Sequence, residues 1–372
     1  MQRAFAELIR RIHDRYDLVV FAGELEDGLR DLVTWRRIPV PLRPAPLRFA
    51  LFYFIAAARL AREKVDVVHT LGAIVPNKAH VASVHFCNAG FVAAVGRLAP
   101  ANAPLVRRIN TGMARMIGLL AERWSYRRAR IARLAPVSAG LARELDRHYP
   151  DSAVVVTPNG VDHHRFQPDP RSRMDIRRRL GLPEDEIVAL FVGGDWHLKG
   201  LGIAIQAIRE ASARCDNAIR LLVVGRGDAA YFRRLAAACG VEDRVVFLGH
   251  RPDPERFYAA ADVFVLPTLY ETFSLAAFEA AASGLPVIAP PVSGIEELVE
   301  DGGAGVPVSR DAASVGAALA ELASSPEARH RLGAVGRRRA AAFSWNRSAE
   351  ATEAIYRLVE SPELPTRETA AA

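Results

Sequence analysis

The sequence predicts an α/β protein made of two doubly wound halves, and three observations carry that prediction. Short runs rich in Val, Ile and Leu alternate with longer amphipathic segments, the runs are apolar throughout rather than at every second residue, and each ends in Gly, Ser, Asn or Pro. An unbroken apolar run marks a strand buried on both faces, which requires helices above and below it and hence a parallel sheet. The 372 residues exceed what one core usually organises, and with half of them apolar each of two domains can bury a core of its own.

The runs are 17–23, 66–72, 80–86, 130–138 and 153–159 in the first half, and 186–194, 219–227, 244–250, 262–268 and 286–294 in the second. Between the halves, Pro158, Pro168 and Pro170 exclude a helix and polar residues replace the apolar pattern, so a linker is expected over 163–172. The domains are then 1–165 and 172–344. Residues 360–372 have almost nothing to bury and are expected to be disordered. At the front, Phe5, Leu8, Ile9 and Ile12 share one helical face, so the chain begins with a helix and enters its first strand only at Asp17. A doubly wound unit normally opens with its central strand and a glycine-rich turn. That strand and turn have no counterpart here, and the reading is that the start is internal to a longer protein.

Composition narrows the function classes. Only Lys64, Lys78 and Lys199 are lysines, so 46 of the 49 cations are arginine, and the formal charge is +7. Such an excess suits a phosphate or an anionic surface but also arises with no partner. Cys87, Cys215 and Cys239 are too few and scattered for a disulfide framework or a CxxC metal or redox pair, which suits a reducing, cytoplasmic setting. The first 17 residues lack a signal-type apolar core, and the longest apolar stretch, 49–58, is about half of what a bilayer crossing needs. No metal-ligand cluster is seen. His163 and His164 lack a third ligand nearby in sequence and read as solvated linker residues.

Chemistry concentrates in the second half. After the run 262–268 comes TLYETFSLAAFEAAASGLPVIAP, in which Glu271 and Glu279 are eight positions apart, so both can face roughly one side if Glu271 lies just before the helix start. Thr272 and Ser274 can cap that helix, and the amides around Phe273, Ser274 and Leu275 offer an anion site at its positive end. Glu279 sits in an apolar stretch, and a buried acid needs a hydrogen-bonding task. The segment FVGGDWHLKG places Gly193 and Gly194 after a strand, where backbone can approach a ligand. Lys199 follows at the helix start, a poor place for a cation unless it meets an anion. The segment VVGRGDAAYF matches GxGxxA, but the following strand ends Gly249-His250-Arg251 with no ribose-binding acid, so its glycines read as a tight turn rather than a dinucleotide site.

In the first half, His69 and His85 fall at strand ends, where doubly wound sheets bind ligands. His85 is the stronger candidate, because Cys87, Asn88 and Gly90 follow it in a polar turn. His69 reads as a structural hydrogen-bonder. The segment Arg107–Arg133 carries eight arginines and one acid, Glu122, interleaved with Met113, Met116, Ile117, Leu120 and Trp124. It reads either as a basic amphipathic helix on an anionic membrane surface or as a packed helix with a solvated basic face. The aromatic and glycine pattern of a nucleic-acid surface is absent.

Taken together, Asn159-Gly160-Val161-Asp162 at the junction, the turn ending Lys199-Gly200, and Glu271 with Glu279 followed by Gly284-Leu285-Pro286-Val287 resemble family 4 of the retaining nucleotide-sugar glycosyltransferases. The likeness runs from residue 17 to about 358 and is stronger in the second half. It implies the GT-B fold: two Rossmann-like domains facing across a cleft, acceptor mostly on the first, donor nucleotide mostly on the second, and a last helix, here 345–359, crossing back to the first. By motif position, Glu279 would hold the ribose, Glu271 the sugar hydroxyls, and Lys199 with the amides near Phe273, Ser274 and Leu275 the diphosphate. Gly249 to Arg251 would border the base, with His85 near the reacting carbon. The resemblance further implies no metal or cofactor beyond the nucleotide sugar, retention by front-face attack, and a hydroxyl acceptor such as a glycan, lipid-linked or cell-envelope precursor. The family usually has an arginine where this chain has Gly194, and Arg226 or Arg251 can substitute. The alternatives are a GT-B epimerase or phosphorylase, the latter lacking a well-placed pyridoxal lysine, and a sugar-nucleotide-binding protein that has lost activity.

Overall fold

The computed structural model describes residues 2–41, 43–98, 104–300 and 303–360, and the chain divides into two compact units, Met1–Pro158 with Trp345–Ala372, and Asn159–Ser344. Most of the expected tail, 361–372, lies outside the described residues.

The described strands of the first unit are β1 (Val19–Ala22), β2 (Thr34–Arg37), β3 (His69–Thr70), β4 (Ala79–Val84) and β5 (Ile131–Pro136). They form two separate parallel sheets, β1-β2 and β3-β4-β5. The first helix, Gln2–Ile12, packs on both: Leu8 and Ile12 meet Val81, Ala135 and Tyr356, whereas Ala6 and Ile9 meet Leu29, Leu18 and Val20. Its apolar face therefore does the work that its spacing foretold. β2 escapes the apolar-run rule because TWRR is mostly exposed. The run 153–159 is no regular strand. It lies extended beside β5, with Leu134 N donating to Ala153 O (2.8 Å) and Val155 N to Leu134 O (2.9 Å), and Pro158 limits further pairing.

His69, at the start of β3, is fixed on both ring nitrogens, Nδ1 to the Tyr356 hydroxyl (2.7 Å) and Nε2 to Ser83 Oγ (2.8 Å). Burial, with a smaller contribution from nearby His85, lowers its pKa to about 3. The unfolded chain therefore takes up this proton first, so the stabilisation is complete above about pH 6.5 and is lost as pH falls toward about 3. Between pH 7 and 5 this histidine is expected to remove about 2 kcal/mol of stability. Urea titrations at the two pH values check this: His69→Gln should lose that part of the pH dependence, and an unchanged dependence would refute it.

The second unit carries β6 (Ile187–Val192), β7 (Ile219–Val224), β8 (Val245–Gly249), β9 (Val263–Val265), β10 (Val287–Ala289) and β11 (Gly305–Pro307). All six of these described strands are parallel, in the order β11-β10-β9-β6-β7-β8. From β6 the chain winds outward through β7 and β8, then returns to the other side of β6 and winds outward again through β9, β10 and β11. The order reverses between β6 and β9, the place where a doubly wound sheet opens a crevice. Val188, Ala189, Leu190 and Phe191 of β6 are fully buried, as an unbroken apolar run requires. β11 was too short, at GVP, to register as a run.

The proline-rich stretch before β6 packs rather than dangles. Val161 N donates to Phe343 O (2.9 Å), and Phe166 is buried edge-on against Tyr258. Asp169 then caps the helix Pro170–Arg179, which is tied to the sheet through Asp262 just before β9. The Asp262 carboxylate accepts from Arg173 (2.7 Å), Arg177 (3.2 Å) and the Val188 amide of β6 (2.8 Å).

Candidate active site

Because the six strands of the second unit run parallel, the loops after them emerge on one edge. That edge receives Gly193, Gly194 and Lys199 after β6, Arg226 after β7, His250 and Arg251 after β8, and Glu271 to Leu275 after β9. The fold thus gathers the donor-side candidates from four loops.

The centre of the group is an ion pair across the reversal point. Lys199 Nζ bonds Glu271 Oε1, and Glu271 is buried while Lys199 is half-buried. Two further links hold the same loops together: Leu269 N donates to Leu198 O (2.9 Å), and Arg310 Nε donates to Pro267 O (3.1 Å) with Nη2 reaching His197 O (3.4 Å). Lys199 needs an approach that only glycine permits. Gly200, at φ +79°, begins the helix Leu201–Ser212, and a Cβ there would stand 2.0 Å from Pro267 O. Asp195, at φ +43°, is a non-glycine residue in the left-handed region within the same loop. Such strain is found at ligand-handling loops.

The helix carrying Glu279 runs Leu275–Ala282, and Ser274 caps it by accepting from Ala277 N (3.4 Å). Its first-turn amides are therefore those of Leu275 and Ala276, at the positive end of the dipole beside Glu271. Thr272 is buried, and the Phe273 ring stacks on Phe278 with centroids 4.2 Å apart, so Phe273 offers a ligand its backbone only. Glu279 is buried and accepts from the Tyr258 hydroxyl (3.2 Å). Arg226 and His250 are exposed at the rim, as is Arg251, whose guanidinium lies 5.6 Å over the Phe257 ring.

The GxGxxA segment is built as a turn. Gly225 sits at φ +135°, and a Cβ there would be 1.9 Å from Gly193 O. Asp228 caps the next helix by accepting from Tyr231 N (3.0 Å), so a protein carboxylate already takes the place a pyrophosphate would need.

In the first unit, His85 follows β4 and lines a cavity of about 150 Å³ with Ser83, Asn88, Glu122, Tyr126 and Phe49. Glu122 is buried, its carboxylate accepting from the Asn88 amide (2.9 Å), Asn88 Nδ2 (2.7 Å) and the Tyr149 hydroxyl (2.8 Å). Burial raises its pKa, partly offset by these bonds. Burial likewise pushes the Cys87 thiol up to about 12, which leaves no nucleophilic thiolate there. His163 Nε2 contacts Phe343 O (3.2 Å), and among the described residues no His, Cys, Asp and Glu group has metal-ligand geometry.

Sequence reasoning missed Arg310 and Glu122. Arg310 follows a strand too short to recognise, and the donors to Glu122 come from Asn88 and Tyr149, which lie 34 and 27 positions away.

The profile described as Glycosyltransferase Family 4 matches residues 1–165, and that described as Glycosyl transferases group 1 matches 186–325. The chain belongs to glycosyltransferase family 4. A D-inositol 3-phosphate glycosyltransferase of Geodermatophilus obscurus is 39% identical over a 240-residue alignment that covers 60% of this chain and 52% of that protein. This chain thus matches about half the length of that relative. The fold is GT-B, as in WaaG, a glycosyltransferase involved in lipopolysaccharide biosynthesis (TM-score 0.77, 22% identity, 95% of this chain and 94% of that one). HepE of Anabaena in complex with UDP-glucose shares it as well (TM-score 0.69, 17% identity, 95% and 94%).

Proposed function

We propose that this chain is a retaining, metal-independent glycosyltransferase that moves a hexosyl group from a nucleoside diphosphate sugar to a hydroxyl acceptor. The observation that carries the reading is the Lys199–Glu271 pair at the reversal point of the second sheet, beside the amino end of the helix Leu275–Ala282. An ammonium, helix amides and a carboxylate in one crevice suit a ligand with a diphosphate at one end and sugar hydroxyls at the other. Breaking the anomeric C–O bond puts negative charge on the leaving phosphate and positive character on the sugar ring. Lys199 and the Leu275 and Ala276 amides meet the first, and Glu271, released from Lys199 by the incoming phosphate, binds sugar hydroxyls. Glu279 takes the ribose and Arg226, His250 and Arg251 border the base. On the first unit His85 and its cavity take the acceptor, with a glycan, a lipid-linked sugar or an inositol phosphate as the classes to try, the last because it appears in the relative's name.

A thermal-shift panel of UDP, GDP and ADP sugars tests the donor, with UDP sugars first because HepE binds one. At about a hundredfold excess over Kd the right donor should raise Tm by about 5 °C or more. NMR of the product should show the donor's anomeric configuration kept, and EDTA should leave the rate unchanged. If no nucleotide sugar shifts Tm and none is consumed, the reading fails; an inverted product or an EDTA-sensitive rate refutes retention or metal independence.

A further inference from the structure

The arginine-rich segment contains the helix Leu105–Ser125, and the exposure of its apolar residues bears on its two readings. In a packed helix with a solvated basic face, the apolar residues would be inside. The structure shows the reverse: Leu105, Ile109, Met113, Met116, Leu120 and Trp124 are 44 to 68% exposed, while Ala121, Glu122 and Ser125 face the core. Their spacings of three and four residues place them in one arc about 100° wide, along about 29 Å of helix. An apolar stripe of that length left to water marks an interaction surface.

Charge selects what covers it. Between residues 105 and 133 the only acid is Glu122, which is buried, whereas Arg107, Arg108, Arg123 and Arg128 are exposed. Trp124 closes the stripe at its carboxyl end, with the Arg130 guanidinium 3.9 Å and the Arg127 guanidinium 5.9 Å from its ring. An apolar stripe edged by guanidiniums, ending in an indole flanked by two of them, matches the boundary between acyl chains and anionic headgroups. No described helix is long and apolar enough to cross a membrane. We propose that this helix lies in the plane of an anionic lipid surface, with Met113, Met116 and Leu120 inserted and the arginines on the headgroups.

The test is flotation of the full chain with vesicles of phosphatidylcholine, with and without phosphatidylglycerol. Binding to the anionic vesicles should exceed binding to the neutral ones by about tenfold at ~0.1 M salt and weaken strongly at ~1 M, where charges are screened within about 3 Å. Met113→Glu with Leu120→Glu should lower anionic binding by about tenfold, and Arg107→Gln, Arg108→Gln and Arg123→Gln together should remove the preference for anionic lipid. These residues are exposed, so circular dichroism and Tm should match the parent; the lipid and salt comparison on the parent chain stands even if a variant fails to fold. Equal binding to both vesicles, no binding to either, or full binding by the double glutamate variant overturns the proposal. So does a concentration-dependent dimer, seen by sedimentation, that the double variant dissociates, since a second copy would then be the occupant.

Discussion

Lys199→Ala is expected to lower kcat/KM for sugar transfer by about 100- to 1,000-fold, the usual cost of removing one charge-stabilising donor from a reacting site. The same change should weaken binding of the free nucleoside diphosphate, because the ammonium is the cation placed at the sheet's reversal point. It also leaves the buried Glu271 carboxylate without its ion-pair partner, so a stability loss of about 1–3 kcal/mol should accompany it. Glu271→Gln separates the roles. It removes the carboxylate that competes with phosphate for Lys199, so diphosphate affinity should hold or rise while transfer falls by about 100-fold or more. Isothermal titration with the nucleoside diphosphate and steady-state kinetics check both. Transfer within about threefold of the parent in Lys199→Ala, or weakened diphosphate binding in Glu271→Gln, would contradict the assignment, since such small changes correspond to under about 1 kcal/mol.

Asp262→Ala should cost about 3–5 kcal/mol, because it removes a half-buried carboxylate that serves two arginines, one of them buried, and a strand amide at once. Arg177 is itself buried, and without Asp262 its charge has only the Ala260, Pro183, Glu184 and Glu186 carbonyls to meet it. In a unit of this size the melting temperature should fall by about 8–15 °C. The exposed pair Arg179–Asp175 (3.1 Å) is the contrast: Arg179→Ala should cost under about 0.5 kcal/mol. Thermal unfolding of both variants decides. A loss below about 1 kcal/mol for Asp262→Ala would show that the network contributes little beyond what water would supply.

The parts legible from the chain were those with a local physical cause. Buried strands need unbroken apolar runs, and nine of the runs became strands; β2 and β11 stayed hidden because an exposed edge and a three-residue strand carry no such signature. Lys199 stood out because lysine is rare here and a cation at a helix start is unfavourable without an anion nearby. The proline-rich junction gives no sign of its packing, because its polarity hides the anchors, Val161 on Phe343 and Phe166 on Tyr258.

The sequence by itself determined the α/β architecture and the family, and it marked Lys199, Glu271 and Glu279 as candidates, since each rests on short-range pattern or composition. Only the tertiary structure decided what those residues meet. Strand order brought Lys199 to Glu271 across 72 positions and set Arg310 against the same two loops. It turned Glu122 inward to Asn88 and Tyr149 and left the apolar arc of its own helix outside. Helical periodicity fixes which residues share a face, but which face is buried depends on the elements packed against it, and that information lies elsewhere in the chain.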